Sequence, residues 1–140
     1  MAISMRFTAF DFDANKYEAM LSDVNNLDND RLTTRSGLIG ARAVRNQETR
    51  MMVVSNYSSM EDLDAANDAQ RSIFTDIGRY MTGQPLVASG EVVGIVDGNT
   101  PVSDIGYLRF VRVPIDDSKW DAIQSYMDDN LASAFDGVAA

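Results

Sequence analysis

The sequence predicts an α+β domain on a split βαββαβ plan, an antiparallel sheet with its helices on one face, followed by one further strand and helix. Three observations predict it. Strand-like runs at residues 5–12, 38–45, 49–56 and 86–96 are interrupted by helix-period segments after the first and the third. The second and third runs are joined by Asn46-Gln47-Glu48 alone, which is hairpin spacing. The segment from Leu108 then repeats the pattern of the first strand and helix.

Each element has its own local reason. Residues 5–12 are rich in Phe and Thr, which suit a pleated, half-buried surface. Asp13 or Asn15 caps the helix that follows, where Tyr17, Met20, Leu21 and Val24 recur at i, i+3, i+4 and i+7. Residues 25–34 are polar and charged, a loop. The second strand is punctuated by Gly37 and Gly40, and the third has an unbroken Met51-Met52-Val53-Val54 centre. Ser58-Ser59-Met60-Glu61 reads as a capping box, Ser58 accepting from the Glu61 N–H while the Glu61 carboxylate reaches back. It opens a long helical region that sets Ile73, Phe74, Ile77, Tyr80 and Met81 on one face. Gly83 and Pro85 stop that region, and Gly78 and the polar Asn67-Asp68-Ala69 stretch allow a break within it. Gly90 and Gly94 weaken the fourth strand or mark bulges. Residues 97–101 are a loop, 105–115 a fifth strand, and Asp116 opens a helix with Trp120, Ile123, Met127 and Leu131 inward. The order up to Val96 is the ferredoxin-like arrangement. We therefore expect one such domain over residues 1–97, with residues 98–140 as a strand–helix extension packed on it.

The extension is a partial internal repeat. Aligned without gaps, Arg6, Phe7, Asp13, Lys16, Ala19 and Ser22 match Arg109, Phe110, Asp116, Lys119, Ala122 and Ser125, and Tyr17 faces Trp120. The alignment sets the strand phase. Val111, Val113 and Ile115 form an apolar row, so their counterparts Thr8, Phe10 and Phe12 are expected under the helices, with Phe7, Ala9 and Asp11 on the sheet's other face. In the second strand Ile39, Ala41 and Ala43 share one phase and Leu38, Gly40 and Val44 the other. Apolar residues on both phases argue that the outer face is covered, and a homodimer with facing sheets is the simplest cover.

Composition narrows the chemistry. The 140 residues carry 12 Lys and Arg against 21 Asp and Glu, a net charge of −9 that opposes nucleic acid and anionic membranes. There is no Cys and no His, which removes thiol nucleophiles, imidazole bases, Ser-His-Asp triads, iron–sulfur clusters and His-ligated zinc or haem. No cofactor and no metal site is expected. Asp11 and Asp13 sit together at a strand end, where a cap and a solvated rim explain them better than a cation site. The N-terminus has no signal-peptide pattern and no run is long enough to span a membrane, so a cytoplasmic location is expected. The split βαβ plan is also that of RNA-recognition domains, but the third strand carries no basic-Gly-aromatic signature.

Two segments and the element order resemble the dimeric α/β-barrel superfamily, in particular its antibiotic biosynthesis monooxygenase-like group. Ser36-Gly37-Leu38-Ile39-Gly40-Ala41-Arg42 is similar to the group's P-G-F-x-G lead into strand two. The passage Val53-Val54-Ser55-Asn56-Tyr57-Ser58-Ser59-Met60-Glu61-Asp62-Leu63 is similar to its route from strand three into helix two. The likeness covers about the first two-thirds of the chain. Tyr57 stands where the group usually has Trp, Ser36 stands for the Pro, and the extension is not part of the basic domain. The resemblance implies a homodimer with one pocket per subunit between sheet and helices. It also implies activities such as cofactor-free oxygenation of quinol-type compounds. The haem-degrading branch relies on a His that is absent here.

On that arrangement the expected pocket has Phe10, Phe12 and Phe74 as walls and Tyr57 and Asn67 as polar contacts, with Gln70 on the same helix face as Asn67. Arg42, on the phase opposite Ala41 and Ala43, is an ion-pair partner at the dimer face or an anion hook. Two functions fit. One is a small-molecule-binding barrel that acts as a cofactor-independent monooxygenase-like enzyme on a small apolar or aromatic compound. The other is a non-catalytic homodimeric binding or interaction module.

Overall fold

Four strands form one antiparallel sheet: β1 (Ser4–Asp11), β2 (Leu38–Asn46), β3 (Arg50–Tyr57) and β4 (Leu86–Glu91), in the order β2-β3-β1-β4. The helices are α1 (Tyr17–Asn25), α2 (Met60–Ala65), α3 (Asn67–Ile77) and α4 (Trp120–Ala134). This computed structural model describes residues 2–26, 37–95, 109 and 111–134, with the backbone alone at 132 and 134. The chain divides into two compact units, Met1–Val92 and Val93–Ala140. No described helix is long and apolar enough to cross a membrane.

β1 is the spine of the first unit, hydrogen-bonded to β3 on one side and β4 on the other. Its register opposes Phe10 to Met51, Thr8 to Val53, Arg6 to Ser55 and Ser4 to Tyr57, so these residues share one face. That face carries the core: Phe10, Phe12 and Met51 pack with Met20 of α1 and with Ile77 and Tyr80 from the end of the α3 region. Full burial of each large apolar side chain contributes about 1.5–3 kcal/mol. The Thr8, Phe10, Phe12 row thus lies under the helices, as its phase predicts. Arg45 of β2 closes one end of the core, its guanidinium 3.9 Å from the Tyr17 ring centroid and 5.7 Å from that of Phe12. Tyr57, Leu63 and Ala66 make a smaller cluster at the other end, with Leu38 against it.

Several local expectations change. The register shifts between Leu38 and Gly40, so Ile39 is an extra, bulged residue and Leu38 joins Ala41 and Ala43 on the helix-covered face. The capping box starts one residue later. Ser59, not Ser58, accepts from the Asp62 N–H at 3.1 Å, and Asp62 Oδ2 accepts from the hydroxyls of both Ser59 (2.8 Å) and Ser58 (2.7 Å). The Ser58 N–H donates instead to the Gly37 carbonyl at 2.8 Å, which holds it in the strand-end connection and out of the helix. The helix breaks at Ala66, one residue before the polar stretch that suggested a break, and β4 stops at Glu91, well short of Val96.

Asp23 of α1 accepts from both Arg79 and the Tyr80 hydroxyl, tying α1 to the 3-10 turn Gly78–Tyr80. The Tyr80 and Arg79 bonds hold the Asp23 carboxyl below its ordinary 3.8. A lowered carboxyl stabilises the fold fully above that value and progressively less as pH falls through the lowered one.

In the second unit the repeat is visible as local structure. Asp13 accepts from the Asn15 N–H at 3.0 Å and Asp116 from the Ser118 N–H at 2.9 Å. Each cap leads through a three-residue 3-10 turn, Ala14–Lys16 or Asp117–Lys119, into a helix. Lys16 and Lys119 both return an N–H to the cap carbonyl at 2.9 Å. Of the strand part, the described residues 111–115 pair with no strand among the described residues, and Val111 and Val113 are 71% and 65% exposed. An isolated alternating pattern forms no ladder without a partner strand to supply its hydrogen bonds. Residues 105–108 and 110 of the expected fifth strand lie outside the described residues. Ile123, Met127 and Leu131 are half-buried, while Trp120, expected inward with them, is exposed.

Gly37 joins β2 to α2 in a way only glycine permits. Its φ is +73°, and a Cβ there would stand 2.2 Å from Cγ of Asp62, which is itself held by two serines. Gly40 has nothing within 4 Å of its Cβ position. Gly37→Ala is expected to destabilise the protein by more than about 1 kcal/mol, whereas Gly40→Ala changes stability by less than about 0.5 kcal/mol. Thermal and urea denaturation of the two variants check this, and equal effects would show that the Gly37–Asp62 approach is not tight.

Candidate functional site

Between the helix-covered face of the sheet and the helices lies a cavity of about 620 Å³. Its floor is Phe10 of β1, Met51, Val53 and Ser55 of β3, and β2 from Leu38 to Ala43. Its roof is Met20, Leu21 and Val24 of α1 with Gln70, Ile73, Phe74 and Ile77 of α3. The space exists because β2 presents Ala41 and Ala43 on this face, side chains too short to meet the helices. Cavities of roughly 300–1,000 Å³ hold drug-sized molecules, and an apolar lining with few polar groups is typical of them.

Apart from Arg42 at the β2 edge, the polar lining gathers at one end. Arg6 stands on the helix-covered face of β1 and is only 2% exposed. It donates through Nη2 to the Leu63 carbonyl at 2.8 Å and to Asn67 Oδ1, and through Nη1 to Gln70 Oε1. Its guanidinium also lies 5.6 Å from the Tyr57 ring centroid. Gln70 Nε2 donates to Thr8 Oγ1 at 3.0 Å. Gln70 and Ser55 are therefore the neutral polar side chains that reach the cavity from this network and its neighbouring strand.

The expected pocket residues separate into two groups. Phe10 and Phe74 line the cavity and meet edge to face, with centroids 5.7 Å apart at 86°. Phe12, Tyr57 and Asn67 do not line it. Phe12 is 1% exposed and packs with Tyr17 at 5.6 Å in the core. Tyr57 belongs to the Leu63–Ala66 cluster; its hydroxyl is not at a rim but fully buried, without a hydrogen-bond partner among the described residues. Asn67 is exposed and serves Arg6 with its side-chain oxygen. Gln70, one helical turn on, holds the cavity-facing place. Arg6 was missed as a site residue although it shares the phase of Thr8, Phe10 and Phe12; that alternation was the available signal.

Arg42 is the one charged residue among the described lining residues, at the β2 edge. Asp11 accepts from Arg50 Nε at 2.9 Å and its carboxyl is lowered by that bond, while Asp13 is a cap. No cluster of three potential metal-ligating side chains exists among the described residues.

No family model matches the chain, and no curated protein matches it. Solved structures do. A dimeric ferredoxin-like protein from an uncultured marine organism aligns with TM-score 0.58 and 18% identity, over 69% of this chain and 93% of its own. The fold is the ferredoxin-like α+β fold that these solved structures share. A candidate antibiotic biosynthesis monooxygenase of Caulobacter crescentus aligns with TM-score 0.58 and 16% identity, over 66% of this chain and 92% of its own. A monooxygenase of Streptomyces coelicolor, solved with nanaomycin D, aligns with TM-score 0.58 and 10% identity, over 70% of this chain and 94% of its own. At these identities the likeness establishes the fold and leaves the activity to the site.

The buried Tyr57 hydroxyl gives a direct test of the core's polarity. An unpaired buried hydroxyl costs about 1–3 kcal/mol relative to its hydrated state. Tyr57→Phe is therefore expected to hold or raise the melting temperature. A loss of more than about 1 kcal/mol in denaturation would mean that the hydroxyl makes a hydrogen bond in the folded protein.

Proposed function

We propose that the chain is a homodimeric small-molecule-binding protein whose cavity takes a small, largely apolar or aromatic compound, and that it acts on such compounds as a cofactor-independent monooxygenase-like enzyme. The observation that carries this reading is the cavity itself. About 620 Å³ lies between sheet and helices, walled by Phe10 and Phe74 and with polarity gathered at Gln70 and Ser55. The Streptomyces coelicolor monooxygenase of the same fold, solved with nanaomycin D, supports a ligand of this class.

Oxygenation here would require a substrate acidic enough to form its own carbanion. That carbanion gives its electrons to O2, one oxygen enters the substrate as a carbonyl, and the other leaves as water with the two hydrogens of the oxidised carbon. The protein supplies orientation, a water-poor cavity and hydrogen-bond donors for the anion. Because no carboxylate lines the cavity among the described residues and the chain has no His or Cys, binding without turnover is the second reading. For dimerisation the support is the sheet's other face, where Met5, Ala9, Val44, Met52 and Val54 are apolar and half-buried, together with the dimeric protein of the same fold.

Native mass spectrometry of the full chain, gently purified and then mixed with small aromatic compounds, tests both parts. The expected spectrum is a dimer with up to one bound compound per subunit. Ala43→Leu fills the cavity from β2 and should abolish ligand uptake while leaving the dimer intact. Undiminished uptake by Ala43→Leu would place the ligand elsewhere, and a monomer would remove the dimer.

A further inference from the structure

The orientation of one side-chain amide gives the cavity a chemical polarity. Every nitrogen of an arginine side chain is a donor and none accepts. With Arg6 against Gln70, the Gln70 oxygen must face the guanidinium, and the Nε2 must face away from it. The second contact agrees: Nε2 donates one hydrogen to Thr8 Oγ1 at 3.0 Å. One Nε2 hydrogen remains, on a side chain that lines the cavity. Arg6 is in turn fixed by the Leu63 carbonyl and Asn67 Oδ1, so the amide is held from behind by a buried, oriented cation. A positive charge on the amide oxygen also polarises its N–H groups and strengthens them as donors.

We propose that Arg6 is a positioning residue that makes Gln70 a fixed hydrogen-bond donor at the polar end of the cavity. The cavity then selects ligands that carry an acceptor oxygen, a carbonyl or an enolate, at one end of an apolar body. The inference rests on the reading of the cavity as a ligand site. Ser55 adds no such selection, because a hydroxyl rotates to donate or accept as its partner requires. Gln70 without Arg6 would turn as freely, offering oxygen or nitrogen to whatever entered.

Three bicyclic probes of nearly equal shape test this with the full chain: tetralin, which has no polar group; 1-tetralone, which adds an acceptor oxygen; and 1,2,3,4-tetrahydroquinoline, which adds an N–H donor. Affinities come from NMR titration. The expected order is tetralone tighter than tetralin by roughly three- to tenfold, the net worth of one hydrogen bond, with tetrahydroquinoline no tighter than tetralin. Gln70→Glu keeps a partner for Arg6 but removes the donor. It should erase the tetralone advantage, read as the ratio of tetralone to tetralin affinity within the same variant. Arg6→Gln frees the amide and should narrow the gap between tetralone and tetrahydroquinoline; if it does not fold, Gln70→Glu carries the test alone. Equal binding of tetralin and tetralone overturns the inference and leaves the ligand site standing. A tetralone advantage that survives Gln70→Glu also overturns it, because another group would be the donor. If no probe binds, the ligand-site reading falls and the inference with it.

Discussion

The buried guanidinium of Arg6 is the constraint on which the first unit turns. A charge this deep destabilises a fold unless its hydrogen-bonding capacity is met. Three of its acceptors come from the helices. The Leu63 carbonyl lies in the last turn of α2, where it also accepts from the Ala66 N–H at 3.2 Å, and Asn67 and Gln70 come from the first turns of α3. The break at Ala66 matters for this reason: it brings the end of one helix and the start of the next onto a single side chain of β1.

From that anchor the cavity follows. α2 and the start of α3 are held over Arg6 and Tyr57, and the far end of α3 is held by Ile77 and Tyr80 in the Phe10–Phe12–Met51 core. The helix is thus fixed at both ends over β1 and β3, while β2 offers only Ala41 and Ala43 beneath α1 and α3. Space remains where small residues face helices that have no freedom to collapse onto them. The cavity is open along β2, where Ala41 and Ala43 remain exposed, and closed by the dense core at Phe10 and Ile77.

Much of this was legible in the sequence, because it depended on periodicity. The Thr8, Phe10, Phe12 row, the β2–β3 hairpin and the apolar face of α3 are each set by residues close in the chain. What was hidden depended on contacts between distant residues. One bulged residue at Ile39 reverses the parity of Leu38, and no local signal distinguishes it from a regular strand. Ser58 and Ser59 are equally good caps until the Gly37 carbonyl takes the Ser58 N–H. Asn67 and Gln70 were both candidates for the polar contact, and Arg6 decides between them by holding one outside and one against the cavity. The row Val111, Val113, Ile115 copies the pattern of β1, but a strand needs a neighbour, and the pattern names none.

The account stands or falls on what enters the cavity that Phe10 and Phe74 help to line. The most direct measurement is a crystal structure of the full chain grown with 1-tetralone. It should show the bicycle in the cavity with its oxygen within hydrogen-bond distance of Gln70 Nε2 and the Arg6–Gln70 contact intact. A cavity closed by the protein's own side chains, or a ligand whose oxygen points away from Gln70, would contradict it.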